Sequence, residues 1–463
     1  MDTSSHQYDI AIIGGGASGA ALLYALAKYT NIQRIALIEK YDRPGQVNSK
    51  ATNNSQTLHV GDIETNYSID KVRQVKPASL MLKYYTDGLS PAEREAIIFP
   101  TGKMVLGVGA SDIATLTKRF DDIRGVFPDL QLLDREAIAQ IEPEVMRGRD
   151  PKEPVIALYT EQGYAVNFEA LATSFVTHAQ PLNPLIDVLY DSAVETIKKT
   201  VQGYTIAIKN KPAISAAMVV VDADSYSLFF AKQLGYGKQY SLIPIAGTFY
   251  FSKPLLNGKV YTVQEPKLPF AAVHGDPDIV VKEKTRWGPT ARFHPVLESR
   301  NASTSVDYIK SSGLHRPRTW QSFIKILLDP IRLKYLVENM LYELPYVGDL
   351  MFLKNVRKII PAIKISDIEK AKGFGGMRLQ RVDTSTHELQ LGEGKIIGHN
   401  IIFNMTPSPG ASVSLYNAMR DIEQIVKFSG NDVTFDKARF CSDLTHDPVS
   451  ETISPSIDSS YAS

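Results

Sequence analysis

Cysteine is nearly absent: Cys441 is the single thiol in 463 residues. That excludes an internal disulfide framework, a Cys-x-x-Cys redox pair and any iron–sulfur or zinc site held by several thiolates, and no metal is expected. It fits reducing, cytoplasmic surroundings. An excess of either charge is missing too. Lysine and arginine total 51 against 50 aspartates and glutamates, which leaves no electrostatic case for a nucleic-acid partner. No stretch approaches the roughly eighteen uninterrupted apolar residues of a membrane-spanning helix. The N-terminus carries no basic segment ahead of its first apolar run, so no signal peptide is expected either. Contact with a membrane surface stays open.

What is present is an ordinary globular balance, 44% hydrophobic and 22% charged residues, on a chain long enough for about two to three domain-sized units. Its organising stretch is residues 8–40, YDIAIIGGGASGAALLYALAKYTNIQRIALIEK. An apolar run reaches Gly14, Gly16 and Gly19 in G-x-G-x-x-G spacing, an Ala/Leu-rich segment follows, and a second apolar run ends on Glu39 and Lys40. This reads as strand, phosphate turn, helix, strand and acid. Gly14 permits the tight turn, Gly16 lets backbone approach a pyrophosphate, and Gly19 lets helix pack closely on strand. Ala17 and Ser18 open the helix, whose N-terminal N–H groups suit phosphate. Glu39 stands where a carboxylate accepts ribose hydroxyls and repels a 2′-phosphate.

Residues 43–66 are rich in Asn, Ser, Thr and Gln, with His59 near their centre. A segment leaving the second strand of such a fold returns over the carboxyl ends of the strands, where the ligand lies. Helical spacing follows at 71–89 and 91–96, strand character at 102–109, and helices at 111–127 and 134–141, a block without a phosphate signature that is expected to be inserted. Asn167 is a plausible cap for a helix opened by 164–175. Strands are expected at 184–190 and 204–208, and 218–221 reads as a buried parallel strand ending in Asp222-Ala223-Asp224. Residues 235–250 read as a turn-rich crossing. Between 311 and 360, eight Lys/Arg face four Asp/Glu, with helices at 319–328 and 331–341 broken at Pro330; the segment reads as core helices with solvated basic faces or as an interfacial basic face. Residues 395–405 look like a hairpin, 406–418 a Pro/Gly turn opening a helix, and the Ser-rich 445–463 a loose tail.

Three separated loops, 48–62, 373–381 and 406–412, must therefore meet. No second G-x-G-x-x-G occurs, and the dinucleotide elements are spread from one end of the chain to the other. That favours a flavin embedded between domains over a dissociable nicotinamide cofactor.

The segments IIGGGASG, NSQTLHVGDIETNYS, PIAGTFYF, GKVYTVQEPKLPFAAVHGDPD, KTRWGPTA, GFGGMR and FNMTPSPGAS resemble the FAD-dependent malate:quinone oxidoreductases, particularly their shorter epsilonproteobacterial form, within the D-amino-acid oxidase and 2-hydroxyglutarate oxidase flavoprotein group. The resemblance implies an α/β Rossmann-like FAD-binding domain built discontinuously from 1–75, 151–243 and 350–440. An α+β substrate domain with a mixed or antiparallel sheet is expected from 76–150 and 244–349. One departure stands out: where the family usually has Asn-Ala-Gly beside the flavin diphosphate, this chain has Asp222-Ala223-Asp224, and a carboxylate there meets phosphate repulsion unless it points away.

The resemblance implies oxidation of L-malate to oxaloacetate, electrons passing through FAD to a membrane quinone at the inner face of the cell membrane, with peripheral membrane contact. A related 2-hydroxy-acid or amino-acid oxidase and a flavin-binding protein without turnover remain alternatives. Such chemistry needs a base, a hydride acceptor and cations for carboxylates. His274, in a VHGDPD stretch read as a rigid turn and oriented by Asp276, is the first candidate base and His59 the second, which alternatively contacts the flavin. Arg378 is the expected carboxylate clamp, with Lys282, Lys284, Arg286 and Arg292 as candidates for a second cation. Expected cofactor contacts are Gly14, Gly16, Ala17, Ser18, Gly19, Glu39, Lys40, Ser55, Gln56, Thr57, Val194, Gly375 and Pro409, with Gly410, Ala411 and Ser412 covering the flavin ring through backbone N–H groups.

Overall fold

The fold is that of a computed structural model describing residues 7–265, 273–342, 344, 346–390, 393–405, 409–430 and 432–445. The Ser-rich tail from 446 onward, residues 406–408 of the last turn and residues 266–272 of the GKVYTVQEPKLPFAAVHGDPD segment lie outside them.

Tyr8–Ile13 forms the centre of an eight-stranded sheet, between parallel neighbours Ile35–Ile38 and Ile214–Val221. Ile186–Leu189 continues it on one side and Ile401–Met405 on the other, both parallel. Strands this apolar are stable only when covered on both faces, and they are. Helix Ala17–Tyr29 lies over one face with Phe168–Ala179 and Ser414–Phe428, and Leu22, Leu23, Leu171, Phe175 and Ile422 close the core between them. Ala and Leu, strong helix formers, dominate Ala17–Tyr29, and its small residues let it sit close to the strands. Truncating Leu23, wholly buried, to Ala is expected to cost about 2–5 kcal/mol. The hairpin of Val194–Lys199 and Tyr204–Ile208 joins the start of Ile214–Val221, and Gly394–Gly398 pairs antiparallel with Ile401–Met405 as expected.

A second eight-stranded sheet is mixed. Ile98–Val108 runs antiparallel to Val155–Val166 and parallel to Lys259–Thr262, beyond which come His274–Pro277, Thr285–Gly288 and Tyr250–Ser252. Two sequence readings change here. Val155–Val166, placed by sequence on the cofactor side, belongs to this sheet because it pairs along the length of Ile98–Val108. The HGDP stretch, read as a turn, is a strand held on both edges. A small four-stranded sheet completes the fold: Tyr240–Ala246, within the stretch read as a crossing, pairs with Met377–Asp383.

Helix Ile69–Asp87 starts at a Ser68 cap, whose side chain accepts from the Lys71 N–H at 3.2 Å. Asn167 caps Phe168–Ala179 as expected, accepting from Ala170 at 3.1 Å. Helices Pro317–Leu327 and Pro330–Leu341 are separated by Asp329, whose carboxylate accepts from the Ile331 and Arg332 N–H groups. The next helix, Val347–Ile359, buries Phe352, Val356 and Ile359 against the second sheet.

Candidate functional site

A cavity of about 960 Å³ extends from the carboxyl ends of the parallel sheet to the second sheet. At one end its walls are mostly backbone. Gly14, Gly16, Ala17, Ser18, Glu39 and Val194 line it. Gly14 has φ +111°, and a Cβ there would lie 2.4 Å from the Asp222 carbonyl oxygen; a Cβ on Gly19 would lie 2.0 Å from the Gly14 oxygen. Gly19 therefore supports the turn from beneath. Gly16, the N-cap of Ala17–Tyr29, has no side chain to cap the helix; Ser49 Oγ accepts from the Ala17 N–H at 3.0 Å, and the remaining N–H groups of the first turn keep its anion-binding capacity at the cavity. Glu39 accepts N–H bonds from Gly15 at 2.7 Å and Tyr41 at 3.0 Å. Burial pushes its carboxyl up, and these bonds oppose the push. Lys40 lines the same end, with its ammonium paired to the buried Glu298.

The cradle fits the pyrophosphate and ribose of FAD, and its least obvious members are the two aspartates. Asp222 Oδ1 accepts from Asn404 at 3.0 Å, while its shielded Oδ2 has no hydrogen-bond partner among the described residues. Burial, and then the charge of Asp421, raise the Asp222 carboxyl to about 7. Burial likewise raises Asp224 to about 6, against the Asn48 amide, which donates to it at 2.5 Å. Carboxyls that hold their protons this readily are poor repellents of phosphate, and a protonated one is a donor.

The separated loops do meet. Ser412 Oγ accepts from the His59 N–H at 3.1 Å, Gly375 donates to the Thr52 carbonyl at 2.9 Å, and Asn48 Oδ1 accepts from Met377 at 3.2 Å. Ser55, Thr57, Pro409, Ala411 and Ser412 line the cavity. Gln56, Gly375 and Gly410 do not. Gln56 is a buried strut, donating to the Ala51 carbonyl at 2.9 Å and accepting from Ile279 at 3.2 Å, and Gly375 is pressed against Gly247.

The other end is walled by side chains: His59, Glu64, Tyr67, Lys71, His274 and Arg378. His59 Nδ1 lies 2.5 Å from Glu64 Oε1, and Nε2 lies 3.3 Å from Ser55 Oγ. Burial works to raise the Glu64 carboxyl, but the His59 hydrogen bond and the Lys103 charge hold it below its ordinary value. His274 stacks on Tyr261, centroids 4.3 Å apart, with Nε2 3.6 Å from Asp276 Oδ1. Arg378 is surrounded by the phenols of Tyr335, Tyr67 and Tyr261; burial lowers its pKa and the phenols act oppositely.

The other expected substrate cations are elsewhere. Arg286 is wholly buried, bonding Asp276 at 2.9 Å and Asp278 at 3.3 Å and donating to the Asn54 carbonyl at 3.1 Å. Lys259, which sequence reasoning missed, bonds Asp276 at 3.1 Å and the Ser55 carbonyl at 3.2 Å. Burial works to raise Asp276, but Arg286 and Lys259 hold it low. Asp276 is thus the centre of an ionic knot beneath the 54–55 loop and not a cavity wall. Lys282 is exposed, Lys284 pairs with Glu369 at 3.0 Å, and Arg292 lies on a strand of the small sheet; none lines the cavity. Glu64, Tyr67 and Lys71 were missed, although Lys71 carries a signal: in Ser68-x-x-Lys71 a cation occupies the capping-box position that favours Glu or Gln.

A family model described as malate:quinone oxidoreductase matches residues 6–437. A protein described as a probable malate:quinone oxidoreductase from Campylobacter jejuni is 40% identical over 452 residues, covering 95% of this chain and 100% of the relative. A malate:quinone oxidoreductase of Helicobacter pylori is 39% identical over 449 residues, covering 95% and 98%. Among solved structures, glycine oxidase from Geobacillus kaustophilus superposes with TM-score 0.63 at 17% identity, covering 94% of this chain and 98% of its own. FAD-bound L-α-glycerophosphate oxidase from Mycoplasma pneumoniae gives TM-score 0.63 at 17% identity, covering 92% and 96%. At these identities the two structures bear on the fold alone.

Proposed function

The chain belongs to the malate:quinone oxidoreductase family, and from that premise we propose which residues carry its reaction. The reaction is oxidation of L-malate to oxaloacetate, with hydride transfer to FAD and a quinone as electron acceptor. When bound, FAD supplies the hydride-accepting ring and the route for the electron pair to the quinone. The glycine turn, Glu39, Asp222 and the 55–57 and 409–412 loops hold it.

His59 is the base for the C2 hydroxyl proton. The observation that carries this is the 2.5 Å contact between Nδ1 and the buried Glu64: an ionised Glu64 keeps the proton on Nδ1 and leaves Nε2 to accept one. Ser412, bonded to the His59 backbone, fixes the ring's position. Arg378 binds a carboxylate of malate, its planar fork suited to bidentate contact. His274 is the second reading, supported by Asp276 lying 3.6 Å from Nε2. His59→Ala should keep the flavin and lose most of its anaerobic reduction by malate, with His274→Ala affected less. The reverse order would make His274 the base, and failure of malate to bleach the parent protein would overturn the substrate.

Residues 1–75, 151–243 and 350–440 supply the cofactor-binding unit and 76–150 and 244–349 the substrate unit, with 155–166 assigned to the substrate side. Among the described residues no helix is long and apolar enough to cross a membrane. Membrane contact is assigned instead to the outer face of the helices between 317 and 359. Trp320, Ile324, Leu328, Met340, Tyr346 and Leu350 are exposed there beside exposed Arg318, Lys325, Lys334 and Lys354. Apolar side chains ringed by cations suit an anionic bilayer surface at the cytoplasmic side, where a quinone is dissolved. Leu328→Glu with Met340→Glu should abolish co-sedimentation with anionic liposomes while malate still bleaches the flavin; undiminished sedimentation would exclude this face.

A further inference from the structure

The substrate end of the cavity contains a lysine that neither the fold nor the proposed chemistry so far uses. Lys71 stands in the first turn of helix Ile69–Asp87, where the helix dipole disfavours a cation by a few tenths of a kcal/mol or more. Burial further disfavours its charge and holds its pKa below the ordinary lysine value. The fields of Glu393 and Glu64 favour the charged form but do not outweigh burial. Glu64 is engaged by His59 at 2.5 Å and by the Gly61 N–H at 2.9 Å, Glu393 accepts from Asn417 at 3.0 Å, and neither forms an ion pair with Lys71 among the described residues. Its one close stabilising contact is the Tyr67 ring, with Nζ 4.5 Å from the centroid.

Arg378 is in the same condition. It enters from Met377–Asp383, lines the same cavity and has no carboxylate partner among the described residues, only phenols, one of them that of Tyr67. Tyr67 thus lies between two cations. By contrast, Lys40, Lys103, Lys259 and Arg286 are each paired with a carboxylate. Two partly desolvated positive charges that face one cavity without an ion-pair partner among the described residues are costly in isolation and are complementary to a ligand with two negative ends.

We propose that Lys71 and Arg378 form a two-point clamp for a 2-hydroxy dicarboxylate, with Lys71 binding the carboxylate that a 2-hydroxy monocarboxylate lacks. Lys71 is then the residue that selects a dicarboxylate. The assignment rests on the malate reading and deepens it.

The test is anaerobic flavin reduction by malate and by lactate in the FAD-loaded parent, Lys71→Gln and Lys71→Arg proteins, together with malonate titration followed by the visible flavin spectrum. Lys71→Gln should raise the KM for malate by roughly 30-fold or more, the scale of losing one partner of a desolvated charge pair, with lactate unaffected and the preference for malate collapsing. Lys71→Arg should restore most of that preference. Malonate binding should weaken in Lys71→Gln at unchanged flavin content. The clamp is overturned if Lys71→Gln keeps the malate preference within about threefold, or slows both acids alike with malonate binding intact. A parent that malate does not bleach overturns the malate reading instead, and malonate titration still reads the clamp.

Discussion

The two ends of the cavity are made of different material. At the cofactor end the wall is backbone: a turn that tolerates no Cβ, the start of a helix whose N-cap is a glycine, and a carboxylate held by two N–H groups. At the substrate end the wall is side chains delivered by the 55–68 loop, the start of Ile69–Asp87, the second sheet and the small sheet. A backbone wall depends on local geometry, so one bad residue removes it. A side-chain wall is graded, because each group contributes its own part.

Gly14→Ala should show the largest effect. A side chain at φ +111° with its Cβ 2.4 Å from the Asp222 oxygen should leave the purified protein without flavin absorbance. Stoichiometric flavin in that variant would break the contrast. Next, Glu64→Gln and His59→Ala should retain flavin yet slow its reduction by malate by about 10²–10⁴-fold for His59, the usual contribution of a positioned base. Smaller losses are expected for Glu64, which acts through His59; stopped-flow absorbance reads both. Arg286→Leu separates scaffold from clamp: leaving Asp278 without its cation and Asp276 with Lys259 alone should cost about 3–5 kcal/mol, seen as a lowered Tm with the preference for malate over lactate unchanged.

The smallest effect belongs to the aspartates beside the phosphate turn. Asp222 and Asp224 have carboxyls raised to about 7 and about 6. A raised carboxyl is neutral below its folded value and becomes a charge as pH climbs through it. Any stability tied to the neutral form is complete below the ordinary carboxylate range and is lost as pH rises through about 6–7. The dissociation constant of FAD should therefore increase with pH, by up to about tenfold from about pH 6 to about pH 8. Asp222→Asn should flatten that slope. A slope of opposite sign in flavin-release measurements would show that these carboxyls do not face the phosphates.

The same contrast explains what could be read from the residues. The glycine spacing, the acid at Glu39 and the convergence of the 48–62, 373–381 and 409–412 segments were legible because each is a local pattern or follows from the topology of such a sheet. The fate of the charges was not. Arg286 looked as available for a second carboxylate as Lys282, Lys284 or Arg292, yet Asp276 and Arg286 are directly opposed on antiparallel strands, and Coulomb attraction between cross-strand neighbours spends the guanidinium inside the fold. Had HGDP been read as a strand paired with TRWG, that pairing would have removed Arg286 from the substrate candidates. Lys71 was hidden for the converse reason: it sits inside an ordinary helical pattern, and its lack of a partner is visible only once Glu64 and Glu393 are seen to be engaged elsewhere.

The hydrogen bond from His59 to Ser412 spans 353 positions of chain, and Ile401–Met405 must dock on Ile214–Val221 before the parallel sheet is finished. During synthesis, then, the phosphate turn leaves the ribosome long before the 401–412 segment that its cavity needs in order to close. Pairings of such long sequence separation are slow to form, and a nascent or truncated chain ending before 412 would present the glycine motif and the apolar strand Ile214–Val221 without their cover. A deletion that removes residues 401–412 would accordingly be felt at the glycine motif and at His59, far ahead of it in the chain.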